Sequence, residues 1–157
     1  MDDRNIKQVK EFLEARGIKP TILAFEETTR TSELAARAIG CDVAQIAKSL
    51  VFIADEKDAV LVIASGKSRV DTRKLARMLG ASEVKIADAK TVKEVTGFPV
   101  GGVPPVAHNR PLRTFIDARL MDFPVVYAAA GTPNAIFGIA PKDLRNVTSA
   151  EVADVFE

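Results

Sequence analysis

Ser49-Leu50-Val51-Phe52-Ile53-Ala54-Asp55-Glu56-Lys57-Asp58-Ala59-Val60-Leu61-Val62-Ile63-Ala64 is the stretch that decides the fold. Two short apolar runs, 49–54 and 59–64, flank a polar link of four residues, the pattern of a hairpin of two buried strands. Upstream, Ile6, Val9, Phe12 and Leu13 share one face of a helix expected over 3–16, with Gly17 behind it. The run 21–25 reads as a strand, and a second helix is expected from Thr31 or Ser32 through Ile39 to Gly40. Asp42 with Gln45 forms an Asp-x-x-Gln cap on a short helical turn over 43–47.

Downstream, Asp71 caps a helix in which Leu75, Met78 and Leu79 face inward and Gly80 ends the turn. A brief strand is expected over 84–86, then a helix over 88–96 closed by Gly97. Gly97-Phe98-Pro99-Val100-Gly101-Gly102-Val103-Pro104-Pro105 carries three glycines and three prolines and predicts an irregular loop with exposed amides. Strands are expected over 113–117, 125–130 and 135–139, and Thr148-Ser149-Ala150-Glu151 reads as a capping box opening a last helix through Val152, Val155 and Phe156. Helices and strands interleave early and strands cluster late, so the expected fold class is α/β of α+β character. A mixed, largely antiparallel twisted sheet is surrounded by helices in one domain spanning 1–157.

Composition narrows the function classes. Hydrophobic residues at 47% and charged residues at 27% describe a globular chain with a core rather than a disordered one. Cys41 is the only cysteine and His108 the only histidine, which excludes an internal disulfide, a CxxC centre, a cysteine zinc cluster and an HExxH site. With 22 Lys and Arg against 21 Asp and Glu, bulk charge does not grip a long nucleic acid, although a local basic patch stays open. No apolar run approaches the roughly 20 residues of a bilayer span, and Met1-Asp2-Asp3-Arg4 is polar, so the expectation is a cytoplasmic protein without a membrane partner.

Several places could carry chemistry. Lys48 stands at the junction of a helical turn and an apolar strand. It is either a cleft lysine holding a phosphate or hydroxyl oxygen, or one that snorkels to the surface. The loop through Gly101, Gly102 and Pro105 either aims rigid amides at an oxyanion or is a tight crossover. Residues 66–77 hold five cations, including Arg69, Arg73 and Lys74, around a helix start. They suit phosphate groups, or form a solvated helix face. His108 follows the Gly/Pro loop and reads as a base or substrate contact, or as a surface histidine; Asp117 fixes a cation or caps the turn after it. Gly131-Thr132-Pro133-Asn134 has the form of a hairpin turn that can still present amides, and Cys41 reads as a packing residue.

The order of these pieces resembles the YbaK/EbsC family, free-standing relatives of the editing domain of bacterial prolyl-tRNA synthetases. The resemblance rests on Thr31-Ser32-Glu33-Leu34-Ala35-Ala36, Ile46-Ala47-Lys48-Ser49-Leu50-Val51-Phe52, and Arg69-Val70-Asp71-Thr72-Arg73-Lys74-Leu75. It continues through Thr96 to Pro105, Phe115-Ile116-Asp117, Ala129-Ala130-Gly131-Thr132 and Pro141-Lys142-Asp143-Leu144. It implies a trans-editing deacylase that hydrolyses the ester joining a wrong small amino acid (Ala, Cys, Ser or Thr) to tRNA, with tRNA-Pro the leading candidate. The family's lysine matches Lys48, its GxxxP loop matches 101–105, and its site aspartate matches Asp117. The synthetase domain's late histidine has no counterpart, since Thr132-Pro133-Asn134 occupies that region.

The implied partners are the tRNA acceptor end and possible docking on a synthetase. No cofactor is called for, because an aminoacyl ester is already activated and needs chiefly positioned water and oxyanion donors. Amides of Gly101, Gly102 and Gly131 are then the candidates for the carbonyl or amino end, and Lys48 for the ribose or phosphate. Two other readings compete: a non-catalytic module that binds an aminoacyl end or free amino acid, and a hydrolase of another activated ester.

Overall fold

The computed structural model describes residues 3–157; Met1 and Asp2, part of the polar amino terminus, lie outside them. In chain order the elements are α1 (Asp3–Glu14), β1 (Ile22–Ala24), α2 (Ser32–Ile39), a 3-10 turn (Val43–Gln45), β2 (Ile46–Ala54), β3 (Asp58–Ser65), α3 (Thr72–Leu79), β4 (Val84–Ile86) and α4 (Ala89–Thr96). They continue with β5 (Arg113–Ile116), a second 3-10 turn (Ala118–Asp122), β6 (Val126–Ala129), β7 (Ala135–Ile139), α5 (Pro141–Thr148) and β8 (Glu151–Val152).

The hairpin is the spine of the sheet. β2 and β3 pair antiparallel from Ala47↔Ser65 to Ala54↔Asp58. Strand order is β1-β7-β6-β2-β3-β5-β8, with β4 on β2 beside the main path. β2–β6, β3–β5 and β5–β8 are parallel, and the other four pairings antiparallel, so the sheet is mixed as the interleaved pattern implied.

Both faces of the spine are covered, which is why its strands read as continuous apolar runs rather than alternating ones. Leu61 and Ile63 point to the face packed by Val9 and Leu13 of α1, Val92 of α4 and Phe98. Val60, Val62 and Ala64 point to the other face, against Leu75 and Ala76 of α3 and Val155 and Phe156. Each fully buried side chain of this size contributes roughly 1.5–3 kcal/mol by leaving water.

Local signals set most helix ends. Thr31, Asp71 and Asp88 cap α2, α3 and α4 through their side chains, and Gly40, Gly80 and Gly97 close them in the left-handed region. The Asp42–Gln45 capping box forms in both directions.

Three expectations are corrected. Thr148 to Glu151 opens no helix: Thr148 is the last residue of α5, its hydroxyl donates back to the Leu144 carbonyl, and Ser149 turns left-handed (φ 53°) into the short strand β8. α5 itself starts at Pro141, a residue suited to a first helical position, and no helix was expected there. Met78 is 40% exposed rather than inward, whereas Leu75 and Ala76 are buried and Leu79 packs against the same core as expected. β2 also starts three residues earlier than expected, so Lys48 lies within a strand and not at its junction.

Candidate functional site

A cleft of about 380 Å³ opens where β2 is only partly covered. One wall is the segment 29–32 leading into α2, another the loop residues Val100, Gly101 and Val103, and the floor is 46–51 of β2 with 127–129 of β6. Ile86 and Val100 are 66% and 55% exposed and form an apolar rim.

Both walls rest on the turn after β6. Thr29 donates its N–H and its hydroxyl to the Pro133 carbonyl at 2.7 and 3.2 Å, and the Thr28 hydroxyl donates to the same oxygen. Phe25 and Asn134 exchange two more hydrogen bonds. From the other side Gly102 lies so close to this turn that a Cβ there would stand 2.7–2.8 Å from the Thr132 backbone. Gly101 is left-handed (φ 88°) and backs onto Arg30, also a wall residue.

Of the residues singled out in the sequence, the structure brings Lys48 and Gly101 into this cleft. The Lys48 ammonium touches the Ser68 carbonyl at 3.5 Å, the long limit of a hydrogen bond, and makes no other hydrogen bond among the described residues. The Gly101 N–H makes no hydrogen bond among the described residues.

The others stand elsewhere. The Gly102 N–H donates to the Pro99 carbonyl at 3.0 Å and is closed to a ligand. Gly131 is wedged against α1, where a Cβ would meet the Asn5 carbonyl at 3.0 Å and where Asn5 donates to the Gly131 carbonyl. The Thr132 hydroxyl donates to Asn134, and Pro105 is buried.

His108 turns away from the cleft and bonds the Pro104 carbonyl at 2.7 Å through Nε2, bracing the loop; burial lowers its pKa, partly offset by that bond. Asp117 is 3% exposed and caps two backbones, the Arg119 N–H at 3.0 Å and the Ser65 N–H at 3.1 Å. With Arg69 it lines a different cavity, on the far side of the loop that Lys48 touches. Lys74 is tied to the Phe156 carbonyl at 2.7 Å and to Asp154, while Arg73 is exposed. Burial, then the neighbouring Asp42, push the Cys41 thiol up, consistent with a packing role.

Two residues of the cleft escaped the sequence reading as site residues. Ser32 and Ser49 both line it, and each carries a buried hydroxyl without a hydrogen-bond partner. A polar residue in the otherwise apolar run 49–54 was the signal for Ser49. Among the described residues no group of three or more His, Cys, Asp or Glu gathers as metal ligands, and no helix is long and apolar enough to cross a membrane.

Comparison with known proteins agrees with this geometry. The YwhH protein of Bacillus subtilis is 28% identical over 148 residues, 94% of both chains. EbsC of Enterococcus faecalis, named as a candidate Cys-tRNA(Pro)/Cys-tRNA(Cys) deacylase, is 23% identical over 84% of this chain and 80% of its own. The proline–tRNA ligase of Lactobacillus helveticus is 33% identical over 125 residues, which cover 80% of this chain and 22% of the ligase. A crystal structure described as a candidate trans-editing enzyme for prolyl tRNA synthetase superposes with a TM-score of 0.90 at 43% identity, covering 98% of this chain and 97% of that one. The family model described as the aminoacyl-tRNA editing domain matches residues 26–147, and the chain belongs to that family.

Proposed function

We propose that the protein is a trans-acting deacylase that hydrolyses the ester of a mischarged tRNA, with tRNA-Pro as the carrier. What supports this carrier is the relatives' names, which refer to Cys-tRNA(Pro) and Cys-tRNA(Cys), to proline–tRNA ligase and to editing for prolyl tRNA synthetase. The observation that carries the hydrolase reading is one cleft in which an unengaged loop amide, a lysine with spare donors and two unpartnered hydroxyls converge.

In this reading the Gly101 N–H donates to the ester carbonyl oxygen and strengthens its bond as negative charge develops there. Gly102 contributes shape rather than a donor, holding the loop against the 132–133 turn. The Lys48 ammonium anchors the terminal ribose or phosphate and favours the charge on the departing oxygen. Water adds to the carbonyl carbon, the bond to the ribose oxygen breaks, and a proton from the water ends on that oxygen. The neighbouring ribose hydroxyl or a second water relays the proton, since His108 and Asp117 stand outside the cleft.

The test is deacylation of mischarged tRNA-Pro by wild type and Lys48→Ala. The expected loss is roughly 10²- to 10³-fold in kcat with the melting temperature retained. Near wild-type turnover in Lys48→Ala, or stoichiometric binding by wild type without ester loss, overturns the assignment.

A further inference from the structure

β2 has an open window in its outer edge. β3 pairs with it along 47–54, but on the opposite side β6 meets only Ile46 and Ala47, and β4 only Phe52 to Ala54. Residues 48–51 have no strand beside them there, and this stretch lines the cleft.

Main-chain groups along a strand alternate in direction. The Ile46 carbonyl accepts from Gly66 on the β3 side, whereas the Val51 carbonyl accepts from Ala87 on the opposite side. Stepping by two from each, Lys48 and Leu50 bond toward β3, and Ser49 presents both its N–H and its C=O to the window. The Ser49 side chain shares a sheet face with Ala47 and Val51, and its hydroxyl is buried without a partner. Unengaged main-chain groups on a strand edge are a template for an added strand.

Resting on the deacylase reading, we infer that the substrate's aminoacyl group binds as a one-residue strand added at Ser49, and that the amino acid removed is a small hydroxyl-bearing one, serine or threonine. In a hydrogen-bonded antiparallel pair two residues exchange both bonds. The substrate's α-ammonium donates to the Ser49 carbonyl, and its ester carbonyl accepts from the Ser49 N–H, supplementing Gly101. Directly opposed residues put their side chains on the same face. The substrate side chain therefore lies beside the Ser49 hydroxyl, against Val51, Val92, Val103 and Ala128, with its ester end directed toward Lys48. These aliphatic groups are only 2–7% exposed and belong to the packed core, so the space beside Ser49 admits a side chain of one or two carbons. The unpartnered hydroxyl distinguishes an OH from a hydrogen, because a buried polar group left unpaired disfavours the analogue that lacks its partner.

Three proteins test this: wild type, Ser49→Ala, and a semisynthetic chain in which Ser49 is replaced by glyceric acid, which exchanges its N–H for an ester oxygen. Each is assayed for kcat/KM on seryl-, threonyl- and alanyl-tRNA, with melting temperatures recorded. Wild type is expected to prefer the hydroxyl-bearing esters by about tenfold or more, and Ser49→Ala to bring the seryl-to-alanyl ratio to near unity. The backbone ester is expected to lower kcat by roughly 100-fold on all three. A wild-type preference for alanine, or an unchanged ratio in Ser49→Ala, overturns the substrate assignment. Wild-type kcat in the backbone ester overturns the added-strand geometry. A wild type that hydrolyses none of the three but binds non-hydrolysable 3′-seryl-amido-adenosine, and binds it at least tenfold more weakly after the glyceric-acid exchange, supports the added strand and retires the deacylase reading. Absence of both turnover and binding overturns both.

Discussion

Gly102→Ala perturbs the close backbone contact that holds the Gly/Pro loop against the 132–133 turn. A Cβ at this position stands 2.7 Å from the Thr132 carbonyl carbon, 2.8 Å from its Cα and 3.0 Å from the Pro133 nitrogen. All three are backbone atoms, so no side chain can swing aside. Relief requires the two segments to part by about 0.7 Å, the shortfall from an ordinary contact. The turn cannot recede freely, because its Pro133 carbonyl also anchors Thr28 and Thr29. Overpacking of this kind costs about 1–3 kcal/mol, which for a chain of this length lowers the melting temperature by roughly 3–10 °C. The loop carries Gly101 at the cleft, and a misplacement approaching 1 Å costs on the order of 100-fold in rate. Calorimetry and single-turnover deacylation at least 15 °C below the melting point separate the two effects, since almost all molecules are then folded. Gly80→Ala is the control: nothing stands within 4 Å of its added Cβ, so only the left-handed backbone (φ 66°) is penalised, by about 1–2 kcal/mol, and the rate is retained. A Gly102→Ala protein that melts within 1 °C of wild type and turns over within twofold refutes the reasoning.

Three further outcomes are expected. Burial holds His108 below its ordinary 6.5, so the unfolded chain binds its proton first. Stability from this group is complete above pH 6.5 and declines as pH falls from there toward the folded-state value; urea unfolding between pH 7.5 and 5 should decline less steeply in His108→Gln. Arg69→Glu with Arg73→Glu should raise KM for aminoacyl-tRNA and flatten its salt dependence by about one or two in the log–log slope, while leaving hydrolysis of aminoacyl-adenosine unchanged. Equal loss on both substrates would remove these arginines from tRNA binding. Lys74→Ala should loosen the segment it holds through the Phe156 carbonyl, read as faster amide exchange at Glu157 and Asp71, whose N–H groups bond across that junction, with little change in deacylation.

What the sequence made legible was local. The apolar runs of β2 and β3, the caps Asp42 and Asp71, and the glycine exits Gly40, Gly80 and Gly97 each act within a few residues, and each formed. The capping-box motif at Thr148 failed because its residues are equally suited to ending a helix. A threonine hydroxyl can reach back to the i−4 carbonyl, and the preceding Pro141 had already fixed where the helix begins. Lys48 was legible as a candidate because a cation in an apolar run is unusual, but its assignment to a junction missed that β6 extends the strand by pairing Ile46 and Ala47. That pairing spans some 80 residues of sequence and leaves no local trace. The same holds for the cleft walls, which meet only because 28–29 and 102 both settle on the 132–134 turn.

Hydrogen-bond satisfaction separates the candidates better than residue type does. Asp117, His108, Thr132, Lys74 and the Gly102 amide all have the chemistry of site groups, and in each the relevant atom is engaged by scaffold at 2.7–3.2 Å. The Asp117 carboxylate gives one oxygen to each of two backbone amides and lines a different cavity, so it serves the scaffold and not this cleft. Lys48, the Gly101 amide, Ser32 and Ser49 keep unengaged donors or acceptors, and all four line one cleft. Buried polar atoms are rarely left without partners, and two of these groups, the Ser32 and Ser49 hydroxyls, are buried and unpartnered in the wall of one cavity. With the histidine and the aspartate outside the cleft, the remaining chemistry is two cations, Lys48 and Arg30, strand and loop amides, side-chain hydroxyls and water. Such a set stabilises charge at a carbonyl and holds an ammonium, and it contains no strong protein base. It suits an ester that is already prone to hydrolysis, and it would be a poor site for a substrate whose bond must first be activated.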